Sequence, residues 1–197
     1  MHATTDVTRP ILRYHGGKWR MAPWIIANLP DHRIYVEAYG GAASVLLRKP
    51  RSYAEVYNEL DGEIVDLFRI LRSPPAATEL QRLLCLTPFA REEFEGAYTP
   101  TKDRFERARR LIIRSFMGFG SDGIRTELTT GFRANANRSG TTPARDWVNY
   151  AEVLPALVER LRSVVIEQRD AIACMVQHDG PQTLHYVDPP YMWETRQ

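Results

Sequence analysis

The chain has 197 residues, of which 44% are hydrophobic and 25% are charged, with a formal net charge of +2. This composition predicts a globular protein with one large domain, or one domain carrying an insert. No stretch is long and apolar enough to cross a membrane, and no signal peptide is expected at the N-terminus. Cys85 and Cys174 support neither a disulfide framework nor a metal site. The sequence thus excludes membrane-spanning and disulfide-rich proteins, and a reducing cytoplasm is the expected location.

A strand, a glycine turn and a helix are predicted near the start of the chain. The apolar run Ile34-Tyr35-Val36 predicts a short strand that leads into Gly40 and Gly41. Residues 42–48 then have the pattern of a helix start. This order of elements brings the backbone close to a bound ligand.

A second strand and an amphipathic helix follow. Residues 52–57 are predicted to form the strand, which ends in the polar run Asn58-Glu59-Leu60-Asp61. Apolar residues recur at helical spacing through residues 62–71, which predicts a helix with one buried face. The run Ser73-Pro74-Pro75 is expected to end it.

The middle of the chain is basic. Residues 98–145 contain ten Lys and Arg against four Asp and Glu, a local charge of +6, which leaves −4 for the rest of the chain. Helices are predicted over residues 78–86 and 102–116, and residues 118–142 are expected to form loops with a hairpin. A basic segment inside a mildly acidic body indicates a part that binds a polyanion.

The second of these helices has two faces. Phe105, Ala108, Ile112 and Phe116 are predicted to face the core, while Arg107, Arg110 and Arg114 share another face that suits phosphates. The alternative is a solvated helix in which Glu106 pairs with a neighbouring arginine, and the helix alone supports both interpretations equally. Further side chains that could read base edges lie in the loop beyond it: Arg125, Arg133, Asn135, Asn137 and Arg138.

The α/β pattern resumes after residue 146. Residues 147–161 and 171–177 are predicted helices, and residues 164–167 and 184–187 are predicted strands. Four strands alternating with helices predict an open parallel sheet. The carboxyl ends of such strands meet at one edge, where open sheets bind ligands.

The last strand runs into Asp188-Pro189-Pro190-Tyr191, which suits an exocyclic amine. The Asp188 carboxylate and the Pro189 carbonyl can each accept one amine hydrogen, which turns the nitrogen lone pair towards an incoming methyl group, and the Tyr191 ring can stack on the base. Prolines hold the loop rigid and remove backbone donors. The alternative is an ordinary Pro-Pro turn with an aspartate cap.

Three other strand ends offer contacts for an adenosyl group. Gly40 and Gly41 allow close approach of the backbone, Glu59 can accept two ribose hydroxyls, and Asp170 can accept an adenine amino group. Taken singly, the glycines are consistent with a plain turn and each acid with a solvated loop or a helix cap. Their joint order ahead of Asp188 favours one site.

Four segments in this order resemble the motifs of the Dam-like, D12-class DNA adenine-N6 methyltransferases. They are Leu12-Arg13-Tyr14-His15-Gly16-Gly17-Lys18, Tyr35-Val36-Glu37-Ala38-Tyr39-Gly40-Gly41, Tyr57-Asn58-Glu59-Leu60-Asp61 and Asp188-Pro189-Pro190-Tyr191. The resemblance covers almost the whole chain. It implies a methyltransferase-type Rossmann fold, with a mostly parallel sheet and helices on both faces, and an inserted, mainly helical target-recognition domain.

The resemblance also implies a cofactor, a substrate and residue roles. The methyl donor would be S-adenosylmethionine and the substrate double-stranded DNA. Residues 1–73 and 147–197 would form the catalytic domain, and residues 76–146 the target-recognition domain. The implied cofactor residues are Tyr14 and Lys18 at the methionine end, Glu37, Tyr39, Gly40 and Gly41 beneath it, Glu59 on the ribose and Asp170 near the adenine.

The chain departs from the family pattern at a few places. His15 replaces a small residue, Ala38 a frequent proline, and Glu59 a shorter aspartate, and none of these removes a required chemical group. Only six residues follow Tyr191, whereas the family continues through further strands. The expectation is a truncated sheet whose last strand is an exposed edge open to self-association.

Two other classes of function stay open on the sequence. The same sheet could methylate an RNA or protein amine, although Asp188 and the glycine-lysine segment at residues 16–18 favour DNA. A truncated chain could instead be a non-catalytic DNA-binding or decoy protein. The sequence defines neither a recognition site nor whether a companion restriction enzyme exists.

Overall fold

The computed structural model describes residues 7–120, 130–135 and 140–190. The strands in this part of the chain are β1 (Ile34–Glu37), β2 (Ala54–Asn58), β3 (Val164–Glu167) and β4 (Thr183–Tyr186). The helices there are α1 (Ala22–Ala27), α2 (Ser44–Arg48), α3 (Gly62–Leu71), α4 (Pro74–Leu86), α5 (Arg91–Gly96), α6 (Arg104–Met117), α7 (Pro143–Val148), α8 (Leu154–Leu161) and α9 (Ala171–His178), with a 3₁₀ turn at Ala151–Val153.

The strands form a parallel sheet in the order β3-β2-β1-β4. Val36 pairs with Val56 on one side and with His185 on the other, so β1 and β2 are central. Within the described residues, β3 and β4 are the two edges. The predicted parallel sheet is therefore confirmed, with all four carboxyl ends at one edge.

Helices cover both faces of the sheet. On one face, Tyr35 and Tyr57 belong to the main hydrophobic core together with residues of α2, α3, α6 and α8. On the other, Val36 and Val56 pack with Cys174 of α9 in a smaller cluster. This arrangement confirms the predicted methyltransferase-type Rossmann architecture.

The inserted segment shares the core of the sheet. Leu80, Phe94 and Leu111 belong to the same buried cluster as Leu46 and Phe68. The described part of the segment is therefore packed against the sheet domain. Its assignment to DNA recognition stays a prediction.

A buried ion cluster supports this core. Arg160 donates two hydrogen bonds to the Glu55 carboxylate, at 2.6 and 2.9 Å, and Lys49 Nζ lies 2.9 Å from Glu55 Oε1. Although burial by itself raises the pKa of Glu55, the two cations outweigh that effect and lower it. The cluster joins β2 to α8 and to the end of α2.

Two local predictions were wrong, both at prolines. The helix predicted over residues 78–86 begins earlier, at Pro74, because a missing backbone N–H costs no helical bond at that position, whereas α3 does end ahead of Ser73-Pro74-Pro75 as predicted. Residues 147–161 are not one helix. Pro155 cannot donate to the Ala151 carbonyl, which instead accepts a hydrogen bond from the Gln81 side chain at 2.9 Å, and α8 starts afresh.

Two short helices, α1 and α5, were not predicted from the sequence. Over the part of the chain that the structure describes, no helix has the length and apolar character needed to cross a membrane.

Candidate active site

A cavity of about 430 Å³ opens at the carboxyl ends of the strands. Most of the sequence-predicted site residues line it: Tyr14, Lys18, Glu37, Tyr39, Gly40, Gly41, Glu59, Asp188, Pro189 and Pro190. Asp170 is not among the lining residues, although its neighbour Ala171 is. Tyr191 lies outside the described residues.

The glycine turn after β1 is shaped by two aromatic rings. A Cβ atom at Gly40 would lie 2.1 Å from Cε2 of Tyr57, and one at Gly41 would lie 2.9 Å from Cε1 of Tyr14. Gly41 also has a φ of +47°, which favours glycine. The Tyr57 hydroxyl donates to the Gly41 carbonyl at 2.6 Å, so a side chain of β2 fixes the turn.

Glu37, the last residue of β1, is a buried acid in the cavity wall. Its Oε2 accepts hydrogen bonds from the Tyr35 hydroxyl at 2.7 Å and from the Leu46 N–H at 2.9 Å. Burial raises the pKa of Glu37 to about 7, although both hydrogen bonds act in the opposite direction. The side chain is thus fixed between β1 and the first turn of α2.

Glu59 joins two loops through its carboxylate. Oε2 accepts the Gly41 N–H at 2.7 Å, and Oε1 accepts the N–H groups of Leu60 and Asp61 at 2.8 and 3.1 Å. These bonds fix the carboxylate against the glycine turn. Its predicted role on a ribose stays a prediction.

Lys18 and Asp188 form an ion pair in the wall of the cavity. The Lys18 ammonium lies 2.7 Å from Asp188 Oδ2 and donates a second bond of 2.7 Å to the Gly16 carbonyl. The N-terminal glycine loop and the loop after β4 are thereby tied together. Residues 170 positions apart in sequence form one wall of the site.

Asp170 caps a helix in this structure. Its Oδ1 accepts the Ala173 N–H at 3.0 Å at the start of α9, and the residue is exposed. This is the cap that the sequence offered as the alternative. A contact with adenine at this position stays a prediction.

Asn58 is a site residue to which sequence analysis gave no role. It is buried at the end of β2, and its carboxamide bonds to the loops that follow β1 and β3. Its only signal in the sequence was its position next to Glu59 in a strand-end motif.

The three arginines of α6 do not form an exposed row. Arg107 pairs with Asp66 of α3, and Arg110 pairs with Glu106 and the Thr99 carbonyl. Arg114 is 2% exposed and pairs with Glu63 of α3. The predicted phosphate-binding face is therefore corrected for Arg114, whose guanidinium is in the core, and the other two already have anionic partners.

The loop residues predicted to read bases are only partly described. Arg133 is buried, with Nη1 donating to the Phe116 carbonyl at 3.1 Å, and Asn135 is exposed. Arg125, Asn137 and Arg138 lie outside the described residues. For Arg133, burial points to a role in holding residues 130–135 on α6.

One cavity thus lies between a glycine turn, two strand-end acids and a Lys–Asp pair. This arrangement, on a parallel α/β sheet, is typical of enzymes that bind a nucleotide-like cofactor. Residues 14–196 match the model of the D12 class N6 adenine-specific DNA methyltransferase family, and the chain belongs to that family. The predicted family is thus confirmed. Among curated proteins, none matches this chain significantly.

Proposed function

We propose that this protein transfers a methyl group from S-adenosylmethionine to N6 of adenine at a specific site in double-stranded DNA. One observation carries the proposal. Asp188, Pro189 and Pro190 line the same cavity as the Gly40-Gly41 turn, so an amine acceptor lies beside a cofactor-type turn. Membership of the family supports DNA adenine as the substrate.

The cavity suits the proposed cofactor in size and in polarity. Its volume of about 430 Å³ lies in the range of small-molecule sites, on the order of 300–1,000 Å³. Lys18 would hold the cofactor's carboxylate, Glu59 its ribose, and the glycine turn would lie against it. When bound, S-adenosylmethionine would supply an electrophilic methyl group, with its sulfur–methyl bond breaking as the N6–methyl bond forms. The products would be S-adenosylhomocysteine, the methylated base and a proton released to water.

Asp188 and Pro189 act on the amine. The carboxylate and the carbonyl each accept one N6 hydrogen, which directs the nitrogen lone pair out of the plane of the base. Lys18 orients the Asp188 carboxylate through the 2.7 Å ion pair. The target adenine leaves the duplex to reach these groups, because N6 is paired inside it.

The inserted segment contacts the DNA in this proposal. With Arg114 buried and Arg107 and Arg110 paired to acids, we assign the contacts to residues 118–142, which the sequence predicts to form loops and which include the exposed Asn135. The proposed setting is the cytoplasm. A companion restriction enzyme and self-association through the β4 edge stay predictions.

Asp188→Ala tests the proposal, with Asp31→Ala as a matched control. The variant removes the carboxylate that accepts one hydrogen of the amine. We expect methyl transfer to DNA to fall by roughly 10²-fold or more, while S-adenosylmethionine binding by calorimetry is retained. Asp31 is exposed before β1, away from the cavity, so its variant keeps full transfer.

The product distinguishes this function from its alternatives. Mass spectrometry of digested DNA must show N6-methyladenine from the wild-type protein. Methyl transfer to RNA or to protein amines with none to DNA would overturn the choice of substrate. DNA binding without any binding of S-adenosylmethionine would show a non-catalytic protein.

A further inference from the structure

Asn58 connects three strand-end loops from a buried position. It is the last residue of β2 and is 1% exposed. Its Nδ2 donates to the Ala38 carbonyl after β1 at 2.9 Å and to the Arg169 carbonyl after β3 at 3.0 Å. Its Oδ1 accepts the Arg169 N–H at 3.1 Å.

The backbone of Asn58 adds a fourth bond. Its carbonyl accepts the Gly40 N–H at 2.8 Å, inside the glycine turn. One residue thus bonds to both ends of the run from Ala38 to Gly40 and to both backbone polar groups of Arg169. Ala38, Gly40 and Asn58 themselves line the cavity, and Arg169 lies two residues before Ala171, which also lines it.

These side-chain bonds require a carboxamide. The two carbonyls need a donor and the Arg169 N–H needs an acceptor, and an aspartate supplies only the acceptor when ionised. An alanine supplies neither and leaves all three backbone groups without this partner. The bond to the Ala38 carbonyl is buried and the two bonds to Arg169 are partly buried, so such losses act directly on the loops after β1 and β3.

We infer that Asn58 is a positioning residue that sets the spacing of the β1, β2 and β3 loops around the cofactor cavity. The inference rests on the proposed function in one respect, since it takes S-adenosylmethionine as the ligand. Asn58 acts through the glycine turn and the Arg169 loop. Although Asn58 itself lines the cavity, its side-chain polar atoms bond to Ala38 and Arg169, so it controls cofactor affinity through these loops and takes no part in the methyl-transfer chemistry.

Two variants separate the bonds, and Asn28 provides the control. Asn58→Ala removes all three side-chain bonds, whereas Asn58→Asp keeps the acceptor for the Arg169 N–H. Asn28→Ala removes an exposed side-chain bond of the same kind, to the Trp24 carbonyl at 2.8 Å, away from the cavity. Each protein is tested by calorimetry with S-adenosylmethionine and by amide hydrogen exchange.

The effects of the Asn58 variants should be confined to the cavity and the loops around it. Asn58→Ala should weaken S-adenosylmethionine binding by roughly tenfold or more, equal to about 1.4 kcal/mol. Exchange of the Gly40 and Arg169 amides should speed up while the amides of central β1 keep their protection. In Asn58→Asp, binding should weaken similarly but the Arg169 amide should stay protected. Asn28→Ala should behave as wild type.

Other results overturn the inference. Unchanged cofactor affinity in a folded Asn58→Ala protein would show that the bonds do not set the cavity. Faster exchange throughout the sheet would show a general structural role in place of positioning. If the wild-type protein itself failed to bind S-adenosylmethionine, the proposed function would fail, and exchange at Gly40 and Arg169 would still decide whether Asn58 positions the loops.

Discussion

Gly40→Ala should destabilise the protein much more than a typical surface change. The added Cβ would lie 2.1, 2.6 and 2.8 Å from three carbons of the Tyr57 ring. That ring is buried and stacks on Phe68 with a centroid distance of 4.2 Å, and its hydroxyl donates a hydrogen bond to the Gly41 carbonyl. Because the ring cannot move away, the backbone of the turn must move.

Two effects of Gly40→Ala lower the free energy of unfolding. Forcing a methyl group into a packed site costs roughly 1–3 kcal/mol. Displacing the turn also strains the 2.8 Å bond from Gly40 N–H to the Asn58 carbonyl, which contributes about 1 kcal/mol. We therefore expect a loss of about 2–4 kcal/mol in the free energy of unfolding.

Urea denaturation measures this loss, with two comparisons. Gly96→Ala in α5 has open space around the new Cβ and should be neutral or slightly stabilising. Placing Gly40→Ala in a Tyr57→Leu background removes the ring that it meets, so its cost should fall by about 1 kcal/mol or more. An equal cost in both backgrounds, or a cost no larger than that of Gly96→Ala, would refute the reasoning.

Two further outcomes follow from buried charges. The pKa of Glu37 is raised to about 7, so its folded-state pKa exceeds its unfolded one, and its stabilising contribution is present at pH 4 and lost as pH rises through 7. Urea denaturation of the wild type from pH 5 to 8 should show the free energy of unfolding falling with pH, on the order of 3 kcal/mol in total. The fall should be smaller in Glu37→Gln. Arg160→Met should cost about 3–5 kcal/mol because it leaves the buried Glu55 with Lys49 alone, whereas Arg162→Met, at an exposed pair, should stay within about 0.5 kcal/mol by the same assay.

The sequence predicted most accurately the elements whose signals are local. The bounds of α3 were predicted correctly because Asp61 caps the first turn and the apolar spacing continues to Leu71. β3 was also predicted with its observed bounds. The strand-end residues of the cavity followed from the parallel sheet, since its geometry brings carboxyl ends together.

The partners of α6 could not be predicted in the same way. A row of arginines on a helix has the pattern of a solvent-facing surface, but Asp66 and Glu63, more than 40 residues earlier in the chain, lie opposite Arg107 and Arg114. Only the packing of α6 on α3 reveals these pairs. Asn58 was missed for a related reason, because its partners Ala38 and Arg169 are distant in sequence and are backbone groups.

The position of β4 in the sheet has a consequence during synthesis. β1, β2 and β3 leave the ribosome before β4, and the chain must then cross from one edge of the sheet to the other to pair Val36 with His185. β1, which is central in the finished sheet, therefore lacks one of its two neighbours until β4 has been synthesised. Until β4 adds to the sheet, Lys18 has no Asp188 to pair with, so the ion pair that ties the two cavity loops together is among the last contacts of the sheet to form.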